Sequence, residues 1–213
     1  MNISIICDLR SQFGGIRDQH TRPTCLAFAI SDAHGSQFNP FQVLSVEYLY
    51  YHAVQMMPGR DPHHGINPQT ACESLRVHGQ PHEADWRYEV VLPKDLAKWR
   101  PPSSCAVFKR TLSGHVNSFD EICSQLSSGR PVIICLQLSE CFYTPLPNGL
   151  IAQQTPDPKT GDHAVIALGH GRTATERCLL IRNSWGAKWG LGGYALLEES
   201  YLTSRLLSTF GLT

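Results

Sequence analysis

At 213 residues, with 42% apolar and 17% charged residues, the chain is long enough to bury a core, as one large domain or two small ones. Eighteen basic residues balance eighteen acidic ones, which argues against nucleic acid as the main partner, because phosphate recognition needs a basic surface. No apolar run reaches the length of a membrane span, so no membrane insertion is expected, and aromatic residues spread along the chain exclude a disordered polypeptide.

The opening residues MNISIICDLR lack the basic flank and the apolar length of a signal peptide. The chain is therefore expected to remain where it is made, in the cytoplasm. Thr24 is placed to cap a helix over about 25–35, with Gly35 at its end. Ser45 is placed to cap a second helix in VEYLYYHAVQMM, with Glu47 in its first turn facing the positive end of the helix dipole. Asn67-Pro68 is a strong start for a third helix, since asparagine caps and proline tolerates the first helical position; Gly79 closes it. A Pro-rich stretch, KWRPPSS, separates this helical half from the second half of the chain. Ser118 and Glu121 form a capping box for a short helix ending near Gly129. The period then shortens. PVIICLQL, HAVIALGHG, RCLLIRNSW and GYALLEE read as strands divided by Gly and polar residues. The tail YLTSRLLSTFGLT is left without an assigned element. Helices followed by strands predict an α+β arrangement, with a cleft between the halves as the natural site.

The eight cysteines mostly lie in apolar stretches, and with no signal peptide they are read as reduced thiols. There is no CxxC pair, so a zinc ribbon has no support; His63, His64 and Cys72 are the remaining metal candidates and are read as ordinary surface and core residues. No cofactor and no metal are expected.

Cys25 opens an apolar helix after Pro23-Thr24. Acyl transfer by a thiol requires a thiolate, an imidazole to take and return its proton, a group to orient that imidazole, and donors for the oxyanion. A free thiol of pKa about 8.5 is only a few per cent ionised at neutral pH; a helix N-terminus supplies part of the needed shift and a cationic histidine the rest. His163, at the start of a strand, and Asn183, before Ser-Trp-Gly, are the candidates downstream. Alone, each has a plain structural reading: a buried helical cysteine, a locally satisfied histidine, a turn-forming asparagine.

Taken together, QHTRPTCLAFA, GDHAV and NSWGAKWGLGGY resemble the papain-like cysteine peptidases. His163 and Asn183 follow Cys25 by 138 and 158 residues, near the spacing known for that family. LSVEYL is similar to the family's LSxQxL helix, and the AC-x-SL helix ending at Gly79 extends the match. The resemblance implies one papain-like domain over 1–213: a helical lobe over about 1–100, an antiparallel β lobe over about 105–213, and the active site between them. It implies a cysteine endopeptidase in which Cys25 is the nucleophile, His163 its thiolate–imidazolium partner and Asn183 the group that holds the imidazole. Trp185 would cover that bond, and the side chain of Gln19 would serve the oxyanion with the backbone N–H of Cys25. His64 and Gly65 would present backbone to an extended polypeptide substrate, and the carbonyl of Asp162 would hold the residue before the scissile bond. The alternatives are a catalytically silent peptide- or protein-binding homologue, and an isopeptidase or transpeptidase using the same site. The chain departs from the family pattern at its nucleophile loop, RPTCL in place of CGSCW. Arg22 stands where a disulfide cysteine is usual, and PHHGINP replaces the partner motif GCxGG, which fits a reducing compartment. Leu26 replaces an aromatic residue. No inhibitory pro-segment is recognised, so either restraint comes from elsewhere, such as a regulatory partner or a larger parent protein, or the pro-segment is absent from this sequence.

Overall fold

A strand that the sequence reading did not anticipate, β1 (Ser4–Asp8), carries the N-terminal segment into the sheet of the second half. Its outward residues are largely exposed, so it lacks the clean alternation by which a strand is recognised. The computed structural model describes residues 3–113 and 118–212. Three helices follow β1: α1 (Cys25–Gly35), α2 (Val46–Gln55) and α3 (Pro68–Val77).

Two of the expected caps form as read. Ser45 Oγ accepts from Tyr48 N at 3.1 Å, and Asn67 Oδ1 accepts from Thr70 N at 2.9 Å, each satisfying an orphan amide of the first turn. Thr24 does precede α1, but its hydroxyl makes no cap bond; it lies 2.9 Å from the Tyr88 hydroxyl instead. Gly35 ends α1 as expected. It is the last helical residue, and a Cβ there would lie 2.2 Å from the Gln42 carbonyl and against the Phe41 ring. Close approach of the returning chain, not backbone hand, requires glycine.

From Leu26 to Gly35 every residue of α1 is buried, as expected of a central helix with no solvent face. It packs on α2 and α3 on one side and on the sheet on the other. The sheet is built from β2 (Leu112–Ser113), β3 (Val132–Leu138), β4 (Leu150–Ile151), β5 (Gly161–Arg172), β6 (Arg177–Arg182), β7 (Tyr194–Glu198) and β8 (Leu206–Leu212). Its order is β2-β8-β3-β5-β6-β7-β4, with β1 added to β5. All pairs are antiparallel except β4 with β7. The capping box is present at α4 (Phe119–Ser127), where Ser118 Oγ accepts from Glu121 N and Glu121 Oε2 accepts from Ser118 N. A short helix, α5 (Glu140–Tyr143), follows β3, and α6 (Glu199–Arg205) follows β7. The unassigned tail thus becomes α6 and β8, and β8 is an interior strand between β2 and β3.

An ionic tie joins helix to sheet. Arg182 at the end of β6, 2% exposed, donates from Nε to Asp32 Oδ2 of α1 at 2.9 Å and from Nη1 to the Gly14 carbonyl at 3.0 Å. The next residue along the chain is Asn183, so this anchor sits immediately before a candidate site residue.

Candidate active site

Cys25 is the first residue of α1, where unpaired backbone N–H groups and the helix dipole favour an anion. His163 is the third residue of β5, in register opposite Leu136 of β3. Cys25 and His163 line one cleft of about 470 Å³. Of the expected substrate-binding residues His64, Gly65, Asp162 and Trp185, the first three line the same cleft. Trp185 is not among its lining residues; its ring centroid lies 4.6 Å from that of His163, the two planes tilted by 39°.

That hydrogen bond runs between His163 Nε2 and Asn183 Oδ1 at 2.7 Å. Its polarity is settled by the neighbouring contact. The backbone N–H of Ser184 donates to the same Asn183 atom at 2.8 Å, which requires that atom to be the amide oxygen. An amide oxygen only accepts, so His163 carries its proton on Nε2, and Nδ1 is the ring nitrogen left as a base.

Gln19 is oriented by the same logic. Its Oε1 accepts from Ser184 Oγ at 2.7 Å, and its Nε2 donates to the Arg22 carbonyl at 2.9 Å. The two contacts are satisfied by one amide orientation only. Two antiparallel segments support them: Gln19 N donates to Ser184 O at 2.8 Å, Gly186 N to Arg17 O at 3.1 Å, and Asp18 bridges Trp185. Ser184 therefore touches both amides, one through its backbone and one through its hydroxyl. The sequence reading did not single it out; its only signal was its position between Asn183 and Trp185. Gly193, with φ +91, closes the turn that returns to Asn183, whose N–H donates to the Gly193 carbonyl at 3.0 Å; a Cβ at Gly193 would strike Ile16.

Burial opposes charge on both candidate reacting groups. Desolvation pushes the Cys25 thiol up, against the N–H groups of Ala164, Leu26 and Cys25 itself, which favour the thiolate. It pushes the His163 imidazole down to about 4, against the Asn183 bond, which favours the cation. Each group alone would rest neutral.

The remaining lining of the cleft is mainly apolar: Ile66 and Pro68 from the approach to α3, Cys135 of β3, Ala164 of β5 and Leu207 of β8. Leu207, from the unassigned tail, is another residue the sequence reading did not place. His64, placed at the rim, pairs with Asp61 at 2.7 Å and is 80% exposed at its side chain. All eight cysteines are free thiols, and among the described residues no group of three His, Cys, Asp or Glu side chains is gathered as for a metal ion.

Comparison with known proteins agrees with this arrangement of elements. Xylellain, a cysteine protease from Xylella fastidiosa, superposes with a TM-score of 0.84 at 22% identity, over 97% of this chain and 85% of its own. A digestive procathepsin L from the larval midgut of Tenebrio molitor gives 0.77 at 19% identity, over 96% and 68%. These likenesses carry the fold. In sequence, an uncharacterized peptidase C1-like protein of Acanthamoeba polyphaga mimivirus is 22% identical, covering 90% of this chain and 67% of the relative. A cathepsin L-like proteinase of Fasciola hepatica is 23% identical, covering 87% and 56%. The chain thus spans between about half and two thirds of the length of these two relatives. The papain family cysteine protease pattern matches residues 6–205, which include Gln19, Cys25, His163, Asn183 and Trp185, and on that match the chain belongs to the papain family of cysteine proteases.

Proposed function

We propose that the chain is a cysteine endopeptidase acting on extended polypeptides, with Cys25, His163, Asn183 and Gln19 as its working residues. The observation that carries this reading is the cleft in which the first residue of α1, a thiol, and a histidine with its Nε2 proton fixed on Asn183 meet. His163 Nδ1 takes the Cys25 proton, and the sulfur attacks the scissile carbonyl carbon. The resulting oxyanion lies between the backbone N–H of Cys25 and the Gln19 Nε2 amide, whose orientation Ser184 fixes. The intermediate collapses, the C–N bond breaks, and the imidazolium returns its proton to the departing amine. Water, deprotonated by His163, then hydrolyses the thioester and restores the thiol. Gly65 and Asp162 lie at the cleft wall where backbone pairing to an extended chain is available, and Ile66, Pro68, Cys135, Ala164 and Leu207 favour an apolar substrate side chain next to the reacting carbonyl. The eight free thiols accord with work in a reducing compartment.

Peptide-library cleavage, with Cys25→Ala as control, tests this reading. Cleavage within peptides, with an apolar preference near the cut and none by the control, is expected. Equal cleavage by the control, or none by the wild type, contradicts it.

A further inference from the structure

The loop from Gln19 to Cys25 carries both the amide and the backbone N–H assigned above to the oxyanion, and beneath it lies a buried ion pair. Arg22 donates from Nη1 to Glu47 Oε2 at 2.7 Å and from Nη2 to Glu47 Oε1 at 2.9 Å. Arg22 is 6% exposed and Glu47 is fully buried. The carboxylate is satisfied on both oxygens: Trp99 Nε1 donates to Oε1 at 2.6 Å and Glu89 N to Oε2 at 3.0 Å. The guanidinium lies against the rings of Tyr50, at 5.4 Å, and Tyr88, at 5.0 Å. Above the pair, the Arg22 carbonyl accepts from Gln19 Nε2 at 2.9 Å and from Thr24 N at 2.8 Å, and the Tyr88 hydroxyl donates to the Gln19 carbonyl at 2.8 Å. The residue whose side chain is bolted to α2 is therefore the residue whose carbonyl holds the Gln19 amide.

We propose that Arg22 and Glu47 are positioning residues for Gln19, an ion pair doing here what a covalent tie would do in a loop that begins with cysteine. The two go together in the sequence: arginine stands where the resemblance expects a disulfide cysteine, and glutamate where the LSxQxL helix has glutamine. A two-pronged guanidinium–carboxylate contact fixes direction as well as distance, and neither partner is free to leave a dry site without the other. The loop is thereby set independently of the redox state of its surroundings.

The inference rests on the peptidase reading, and a double-mutant cycle separates the two. Arg22→Gln is expected to lower kcat by about tenfold with KM within about twofold, and Gln19→Ala added to it is expected to cost far less than in the wild type, because the amide is already misplaced. Should that variant not fold, Arg22→Met with Glu47→Gln removes both charges together and keeps the acceptor for Trp99. The side-chain amide resonances of Gln19, assigned by their loss in Gln19→Ala, are expected to lose their slow solvent exchange in the same variants. An unchanged kcat, or a full Gln19→Ala effect in either background, overturns the proposal. If the wild type shows no turnover, the peptidase reading fails, and the amide resonances alone then decide whether Arg22 holds Gln19.

Discussion

Two histidines in this protein are buried in much the same way and sit in quite different company. His163 and His34 are 6% and 0% exposed, each has a side-chain amide oxygen against one ring nitrogen, and burial pushes each down to about 4. His34 Nδ1 lies 3.0 Å from Gln80 Oε1, and its Nε2 is enclosed without a partner among the described residues. His163 uses Nε2 on Asn183, and its ring lines the cleft with Cys25. Desolvation and an amide partner are therefore a common way to keep a neutral histidine inside a protein. What singles out His163 is its place in the lining of a cleft that Cys25 also lines.

The sharpest way to break the comparison is to truncate each ring. His163→Ala should lower kcat by on the order of 10⁴-fold or more with little change in stability. His34→Ala should leave the kcat of the folded protein unchanged and lower stability by about 2–3 kcal/mol, read by denaturant unfolding. A large kcat loss in His34→Ala would dissolve the distinction. The oxyanion side comes next. Gln19→Ala should cost about 10²-fold in kcat, and an unchanged kcat would remove Gln19 from the site. Ser184→Ala leaves the Asn183 contact, which uses the backbone, and deletes only the hydroxyl on Gln19; a loss of about fivefold is expected, the scale of one hydrogen bond near 1 kcal/mol. A loss equal to that of His163→Ala would mean that Ser184 acts on the histidine as well.

Acid provides a gentler test. His34 and His52 are both pushed down to about 4 by burial, so the unfolded chain binds their protons first. The stability that comes from keeping them neutral is present above the ordinary imidazole range and is lost as the pH falls from about 6.5 toward 4. Unfolding curves at stepped pH should show this fall, and His34→Gln should flatten it; a slope unchanged by that substitution would contradict the assignment.

Much of this arrangement was legible because it is local or chemically distinctive. Ser45, Asn67 and the Ser118–Glu121 pair announce helix starts by side chains that bond within three residues. Cys25, His163 and Asn183 were legible only as a set, through resemblance. The misreadings share a cause: a side chain spent on a distant partner. Thr24 was expected to cap its own helix, yet its hydroxyl meets Tyr88, 64 residues away. Glu47 does stand in the first turn of α2 as expected, but nothing local announces that it is also fully buried on Arg22. Ser184 and Leu207 have no local signal, since their roles depend on segments brought beside them by the sheet.

The central claim is that the Cys25–His163 pair, and not cysteine chemistry in general, makes this chain reactive. The other seven thiols supply the internal reference, because burial pushes every one of them up as it does Cys25, so a faster Cys25 reports its partner and not its burial. Iodoacetamide alkylation at pH 6, resolved by cysteine with mass spectrometry, should modify Cys25 much faster than any of the seven, and His163→Ala should abolish that advantage. Alkylation of Cys25 no faster than the others, or equally fast without His163, would contradict the account.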